Sequence, residues 1–168
     1  TKKRDSKNKI SKKKKNIILG VGSSGPTTRW GSKNFITLIK KLNKNNDYFF
    51  YLLCGPSEKI ISDEILSQVE KESCQSLSNK SISELIPLIS VCDIYVGNDS
   101  FGHHVACQCS IPSYVIMLDT PKAYTDYSKN QYRILPNNLN ENYITHDSNI
   151  SADSITVDMV LNKIKNFI

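Results

Sequence analysis

Val96–Ala106 reads VGNDSFGHHVA, and the reading of this stretch decides the fold. It follows the apolar run Ile89–Ile94 and opens with Gly97-Asn98-Asp99-Ser100, residues that favour turns and helix caps. Two histidines then sit among small residues that suit a helix. A strand that ends in a small polar turn, with a helix starting at once, sets backbone N–H groups and the positive end of a helix dipole at the carboxyl edge of a sheet. In open α/β sheets that edge is where ligands bind. A solvated turn before an ordinary helix is the plainer alternative. The concentration of Asn98, Asp99, Ser100, His103 and His104 in seven residues between apolar strands weighs against it.

On either side, apolar runs alternate with amphipathic segments. Asn16–Val21 (NIILGV) predicts a buried strand, and Gly22–Gly31 (GSSGPTTRWG) a loop. Ser32 caps a helix that turns Phe35, Ile36, Leu38, Ile39 and Leu42 inward and Lys40, Lys41 and Lys44 outward. Tyr48–Cys54 (YFFYLLC) predicts a second strand, buried on both faces. A helix follows through Ile60, Ile61, Ile65, Leu66 and Val69. Ser81-x-x-Glu84 has capping-box spacing and opens a short helix with Leu85, Leu88 and Ile89 inward. Pro87 fits that helix if it starts near Ser83, because a first turn needs no N–H donor. Asp93–Val96 and Pro112–Leu118 are the third and fourth strands. Asp119–Asn130 is a polar loop, Gln131–Leu135 a short extended piece, and 137–148 irregular. Thr156 caps a last helix with Val157, Val160, Leu161, Ile164 and Phe167 inward. Solid apolar strands alternating with helices mean an α/β fold with a parallel sheet.

The chain has 168 residues, enough for one domain with a real core. Its net charge of +6 misleads, because residues 1–15 hold nine Lys/Arg against one Asp and the other 153 residues carry −2. Residues 1–15 read as a basic disordered tail or an interdomain linker, and 16–168 as the folded domain. A nucleic-acid binder would carry its basic face on the fold itself, so nucleic acid is not an expected partner. The five cysteines are odd in number and scattered, which argues against a disulfide framework and for a reducing, cytosolic setting. No apolar run approaches the ~20 residues of a membrane span.

In a parallel sheet the loops after successive strands share one edge. Here these are Gly22–Gly31, Gly55–Glu58, Gly97–His104 and Asp119–Asn130, and they collect nearly all the distinctive polar residues. Gly20-x-Gly22-x-x-Gly25 matches the dinucleotide fingerprint in letters. Its helix starts too late, however, and Cys54-Gly55 stands where the ribose-binding acid belongs, so a nicotinamide cofactor is not expected. A loop that touches phosphate through backbone N–H, Ser23, Ser24 and Thr28 survives the objection, and Arg29 can add a charge-assisted contact. Glu58 can accept two ribose hydroxyls or can simply favour a helix dipole. Asp99 is a good N-cap. His104 is either a ligand contact or a satisfied buried histidine. Asn98–Gly102 lacks the elbow of a serine hydrolase. Cys107-x-Cys109 is too close a pair for zinc, and adjacent helical histidines point about 100° apart, so no metal site is expected.

Four segments resemble glycosyltransferase family 9, the heptosyltransferase-like enzymes: GVGSSGPTTRWGSKNFITLIKKL from Gly20, LLCGPSEK from Leu52, ISELIPLISVCDIYVGNDSFGHHVA from Ile82 and LDTPKAYTDYSKNQYRIL from Leu118. The resemblance spans roughly residues 16–136. It implies a Rossmann-like three-layer parallel sheet with helices on both faces, the C-terminal, donor-binding half of a GT-B fold. It also implies inverting transfer from a nucleotide-sugar donor for bacterial surface polysaccharide or lipopolysaccharide synthesis. No further cofactor and no metal are implied. A glycan or lipid-linked acceptor and the general base belong to an N-terminal domain outside this chain. Location would be cytoplasmic, with peripheral association at the inner face of the membrane. By resemblance, Ser23 and Ser24 contact the diphosphate, Glu58 the ribose, and Asp99, Ser100, Gly102 and His104 the donor. Thr28 stands where the family usually has Lys, with Arg29 as a substitute, and Phe101 where it usually has Gly. These departures motivate a second expectation, a non-catalytic nucleotide-binding or assembly module of the same fold.

Overall fold

A computed structural model of the chain describes residues 10, 11, 14–45 and 47–167. Strands β1 (Lys15–Gly20), β2 (Tyr48–Leu53), β3 (Cys74–Ser76), β4 (Ile94–Asn98), β5 (Ser113–Ile116) and β6 (Gln131–Ile134) form one sheet in the order 3-2-1-4-5-6. Every neighbouring pair is parallel. The helices are α1 (Ser32–Leu42), α2 (Lys59–Leu66), α3 (Ile82–Ile89), α4 (Phe101–Gln108) and α5 (Val157–Ile164).

Side chains alternate across the strands and so build two apolar layers. Ile17, Leu19, Phe50, Leu52, Ile94 and Val96 pack with α1, α2 and α5 on one face. Ile18, Tyr51, Leu53 and Tyr95 pack with α3 and α4 on the other. This is the three-layer α/β arrangement that the sequence predicts. Trp30 is fully buried, and its Nε1–H donates to the Ile155 carbonyl at 2.7 Å, tying the first loop to the chain before α5.

Several local expectations need correction. The third predicted strand, Asp93–Val96, is shifted: β4 begins at Ile94 and runs on through Gly97 and Asn98. β3 escapes the sequence because CQS is three residues long without an apolar run. α3 starts at Ile82, so Pro87 lies past its first turn. The Ser83 carbonyl thereby loses a helical partner, but at an exposed residue where water serves. Ile60 is 77% exposed on the outside of α2. Phe167 lies beyond α5, 38% exposed, with its ring against Tyr114 and Tyr132. Most of the basic segment 1–15 lies outside the described residues. Ile10 nevertheless packs on the second apolar layer, and Ser11 N–H donates to Asn16 Oδ1 at 3.1 Å.

All five thiols are free, and all but Cys109 are buried. Burial pushes Cys74 and Cys92 up to about 12. A thiol reagent at neutral pH is therefore expected to label Cys109 within minutes and the other four only under denaturant. Two or more fast thiols in the native chain would contradict the packing.

Candidate functional site

Sheet order places β1 between β2 and β4, the position where the chain reverses direction across the sheet. The segments after β1, β2 and β4 meet there with the start of α3. They enclose a cavity of about 510 Å³ lined by Ser23, Ser24, Glu58, Asp99, Ser100, Gly102 and His104, among others. Ser24, Glu58 and His104 thus share one rim, as a parallel sheet requires.

Asn98 is the stitch that holds this rim together. It is fully buried at the end of β4. Its Oδ1 accepts from Trp30 N–H at 2.9 Å, and its Nδ2 donates to the Val21 carbonyl at 3.1 Å. The Tyr95 hydroxyl below it donates to the Asn98 carbonyl at 2.7 Å and lies 3.1 Å from Ser100 Oγ. Ser100, not Asp99, is the N-cap of α4, and its side chain makes no capping bond. The Phe101 and Gly102 end of the helix therefore opens on the cavity without a side-chain cap.

Glu58 laces two loops. Its Oε1 accepts from Ser23 N–H at 2.8 Å and from Arg29 Nη2 at 2.8 Å, while Oε2 accepts from Gly55 N–H at 3.1 Å. One lone pair, on Oε2, stays uncommitted, so the carboxylate has room for a single further hydroxyl. Thr28 and Arg29 do not line the cavity. The Thr28 hydroxyl bonds Ser23 Oγ and the Gly25 carbonyl, and Arg29 Nη2 donates to Glu58 and the Ser23 carbonyl. Both side chains brace the first loop. Ser23 is itself 4% exposed, whereas Ser24 is exposed at the rim. The sequence reading missed Leu53, Pro56, Lys80, Ile82, Leu85 and Phe101, which also line the cavity. The capping box at Ser81 marks where α3 begins, but only the unseen β3 brings that helix start to the rim.

The two histidines depart from the expected divergence. Their ring centroids are 4.0 Å apart, and His103 Nε2 and His104 Nε2 lie 3.0 and 3.5 Å from the same Asp99 Oδ1. Tyr127, from the loop after β5, stacks on His104 and hydrogen-bonds its Nδ1. Burial, then the neighbouring His103, hold His104 below its ordinary value, with Asp99 opposing. A lowered folded value makes the unfolded chain take the proton first as pH falls. The stability His104 contributes is therefore intact above about 6.5 and declines below it. Urea unfolding from pH 7.5 to 5.5 is expected to show a smaller loss for His104→Gln than for the parent; equal losses would contradict the burial argument.

Residues 1–151 match the model of glycosyltransferase family 9 (heptosyltransferase). The chain belongs to glycosyltransferase family 9. Its fold agrees. The E. coli ADP-heptose lps heptosyltransferase II superposes with a TM-score of 0.81 at 24% identity, over 99% of this chain and 50% of that one. A family 9 glycosyl transferase from Veillonella parvula gives 0.82 at 15% identity, over 99% and 51%. E. coli heptosyltransferase WaaC with ADP gives 0.76 at 14% identity, over 99% and 48%. The chain thus spans about half the length of these family 9 structures. Among curated proteins, no sequence matches it. Among the described residues, no helix is long and apolar enough to cross a membrane.

Proposed function

We propose that this family 9 domain binds the nucleotide-sugar donor of an inverting glycosyltransferase serving surface polysaccharide or lipopolysaccharide synthesis. The observation that carries the proposal is the convergence of Ser24, Glu58, Ser100 and the open end of α4 on one cavity. Leu53, Pro56, Ile82 and Leu85 give an apolar slot for the base. Glu58 Oε2 accepts from one ribose hydroxyl. The diphosphate sits against the N-terminal end of α4 and the Ser24 and Ser100 hydroxyls, with Lys80 as the nearby cation. Asp99 and His104 face the sugar.

Transfer then divides between this domain and polypeptide outside it. A carboxylate outside these residues takes the proton of an acceptor hydroxyl, whose oxygen attacks the anomeric carbon. The bond to the donor phosphate breaks, and negative charge builds on the leaving diphosphate. The uncapped N–H groups of α4 are fixed where that charge grows, so they stabilise the transition state more than the ground state. Peripheral contact with the inner face of the membrane, where a lipid-linked acceptor resides, fits this reading. Calorimetry with ADP, UDP and GDP tests it: one of the three binds at one site per chain, and no heat with any of them at millimolar concentration would refute it.

Thr28 and Phe101 support a second reading, a module that binds nucleotide without transfer. Nucleotide binding together with no transfer by the full-length protein would select it.

A further inference from the structure

The loop after β5 lines no part of the cavity, yet two side chains reach the cavity wall from that side. The wall there is Asp99 and His104, with His103 fully buried next to them. Asp99 Oδ1 is buried and faces both rings, 3.0 Å from His103 Nε2 and 3.5 Å from His104 Nε2. The side chain keeps 19% exposure, so Oδ2 is the oxygen left to the cavity. Whether the rings attract or repel Oδ1 depends on which nitrogens carry their protons. A neutral imidazole donates from one nitrogen and accepts at the other, and the neighbours of its two edges decide which is which.

Gln131, the first residue of β6, decides it for His103. Its Oε1 accepts from Tyr127 N–H and Ser128 N–H, both at 3.0 Å, which fixes the orientation of the amide. The amide nitrogen, a donor only, is thereby turned to His103 Nδ1 at 3.5 Å. Cys107 Sγ lies 3.9 Å from the same nitrogen, and burial holds that thiol above its ordinary value, so it too has a proton to offer. Nδ1 therefore accepts, and Nε2 carries the proton toward Asp99. Tyr127 decides it for His104. Its ring stacks on the imidazole and its hydroxyl bonds Nδ1. Burial raises the phenol as well, so Tyr127 gives this hydrogen bond with its proton in place. His104 Nε2 is then the protonated nitrogen, and it also faces Asp99.

We propose that Gln131 and Tyr127 are positioning residues: they hold His103 and His104 with the proton on Nε2, and the two N–H groups together fix Asp99 with Oδ1 inward and Oδ2 toward the cavity. The opposite arrangement, a lone pair on each Nε2, would push the carboxylate away. The use of this lock rests on the donor-binding reading: Oδ2 accepts from a hydroxyl of the donor's sugar without having to reorient first. The loop after β5 thus belongs to the site while touching the ligand only through the two rings and Asp99.

Long-range proton–nitrogen spectra of the histidine rings at pH 7.5, with no nucleotide added, test the lock. The chain has three histidines, so each ring can be assigned. His103 and His104 should both carry the proton on Nε2. In Gln131→Glu a carboxylate oxygen replaces the amino group at His103 Nδ1, and that nitrogen should gain a proton. Tyr127→Phe takes the donor from His104 Nδ1, and His104 should become a mixture of the two forms while His103 stays as it was. A proton on Nδ1 of either ring in the parent, or rings unchanged in both variants, would overturn the proposal. Calorimetry with ADP-glucose, UDP-glucose and GDP-mannose beside ADP, UDP and GDP tests the use of the lock. Gln131→Glu should lose at least fivefold more affinity for the nucleotide sugar than for its bare diphosphate; equal losses would overturn the positioning role. The two readings fail separately. The expected ring protons with no nucleotide binding keep the lock and remove the donor site; nucleotide binding with the ring protons elsewhere removes the lock and keeps the donor site.

Discussion

Gly97→Ala is expected to destabilise the domain by about 3 kcal/mol, lowering Tm by roughly 6–12 °C. Gly97 pairs with Gly20 across β4 and β1. A Cβ on Gly97 would stand 2.5 Å from the Gly20 backbone nitrogen and carbonyl oxygen. Those atoms belong to the central strand and cannot swing aside as a side chain can. Elsewhere in a strand the same exchange gains stability, by about 0.5–1 kcal/mol. Here the clash outweighs that gain and reverses the sign. Gly25→Ala is the matched control. A Cβ there meets nothing closer than 3.8 Å, so Tm should hold or rise slightly. Equal effects at the two positions, read by thermal unfolding, would contradict the described approach of β1 and β4.

Glu58→Ala should cost about 2–4 kcal/mol and at least tenfold in nucleoside diphosphate affinity. The substitution strips the acceptor from two backbone N–H groups, Ser23 and Gly55, and leaves Arg29 without its carboxylate. The loops after β1 and β2 lose the tie that holds them at one rim. Arg29→Met removes only the cation from the same cluster. That side chain is 34% exposed, so its loss should cost about 1 kcal/mol or less. A carboxylate that served only the ligand would give a different pattern: weakened binding in Glu58→Ala with urea unfolding unchanged. Comparing unfolding and calorimetry on the two variants separates lacing from ligand contact.

These two residues also show what the sequence can and cannot disclose. The parallel sheet is legible because NIILGV, YFFYLLC and PSYVIML are solid apolar runs, and burial on both faces demands such runs. The shared rim follows from the sheet, since all loops after parallel strands leave by one edge. Partnership within the rim is different. Nothing in the letters says that Glu58 reaches back to Ser23 and Arg29, because those contacts depend on the distance between β1 and β2. Nor do the letters show that the Thr28 hydroxyl and Arg29 Nη2 brace the loops, because those contacts too depend on how the loops fold against each other. His103 and His104 looked divergent because helical spacing describes Cα directions, whereas side-chain rotation brings both Nε2 atoms to Asp99. The apolar lining from Ile82 and Leu85 stayed hidden because β3, which carries the chain to that side, has too few residues to announce itself.

Backbone amide shifts during a nucleoside diphosphate titration test the shared donor rim most directly. The amides of Gly22–Ser24, Gly55–Glu58 and Ser100–Gly102 should move together along one saturable curve, with β5, β6 and α5 still. No movement with ADP, UDP or GDP at millimolar concentration, or movement confined to one of the three segments, would contradict it.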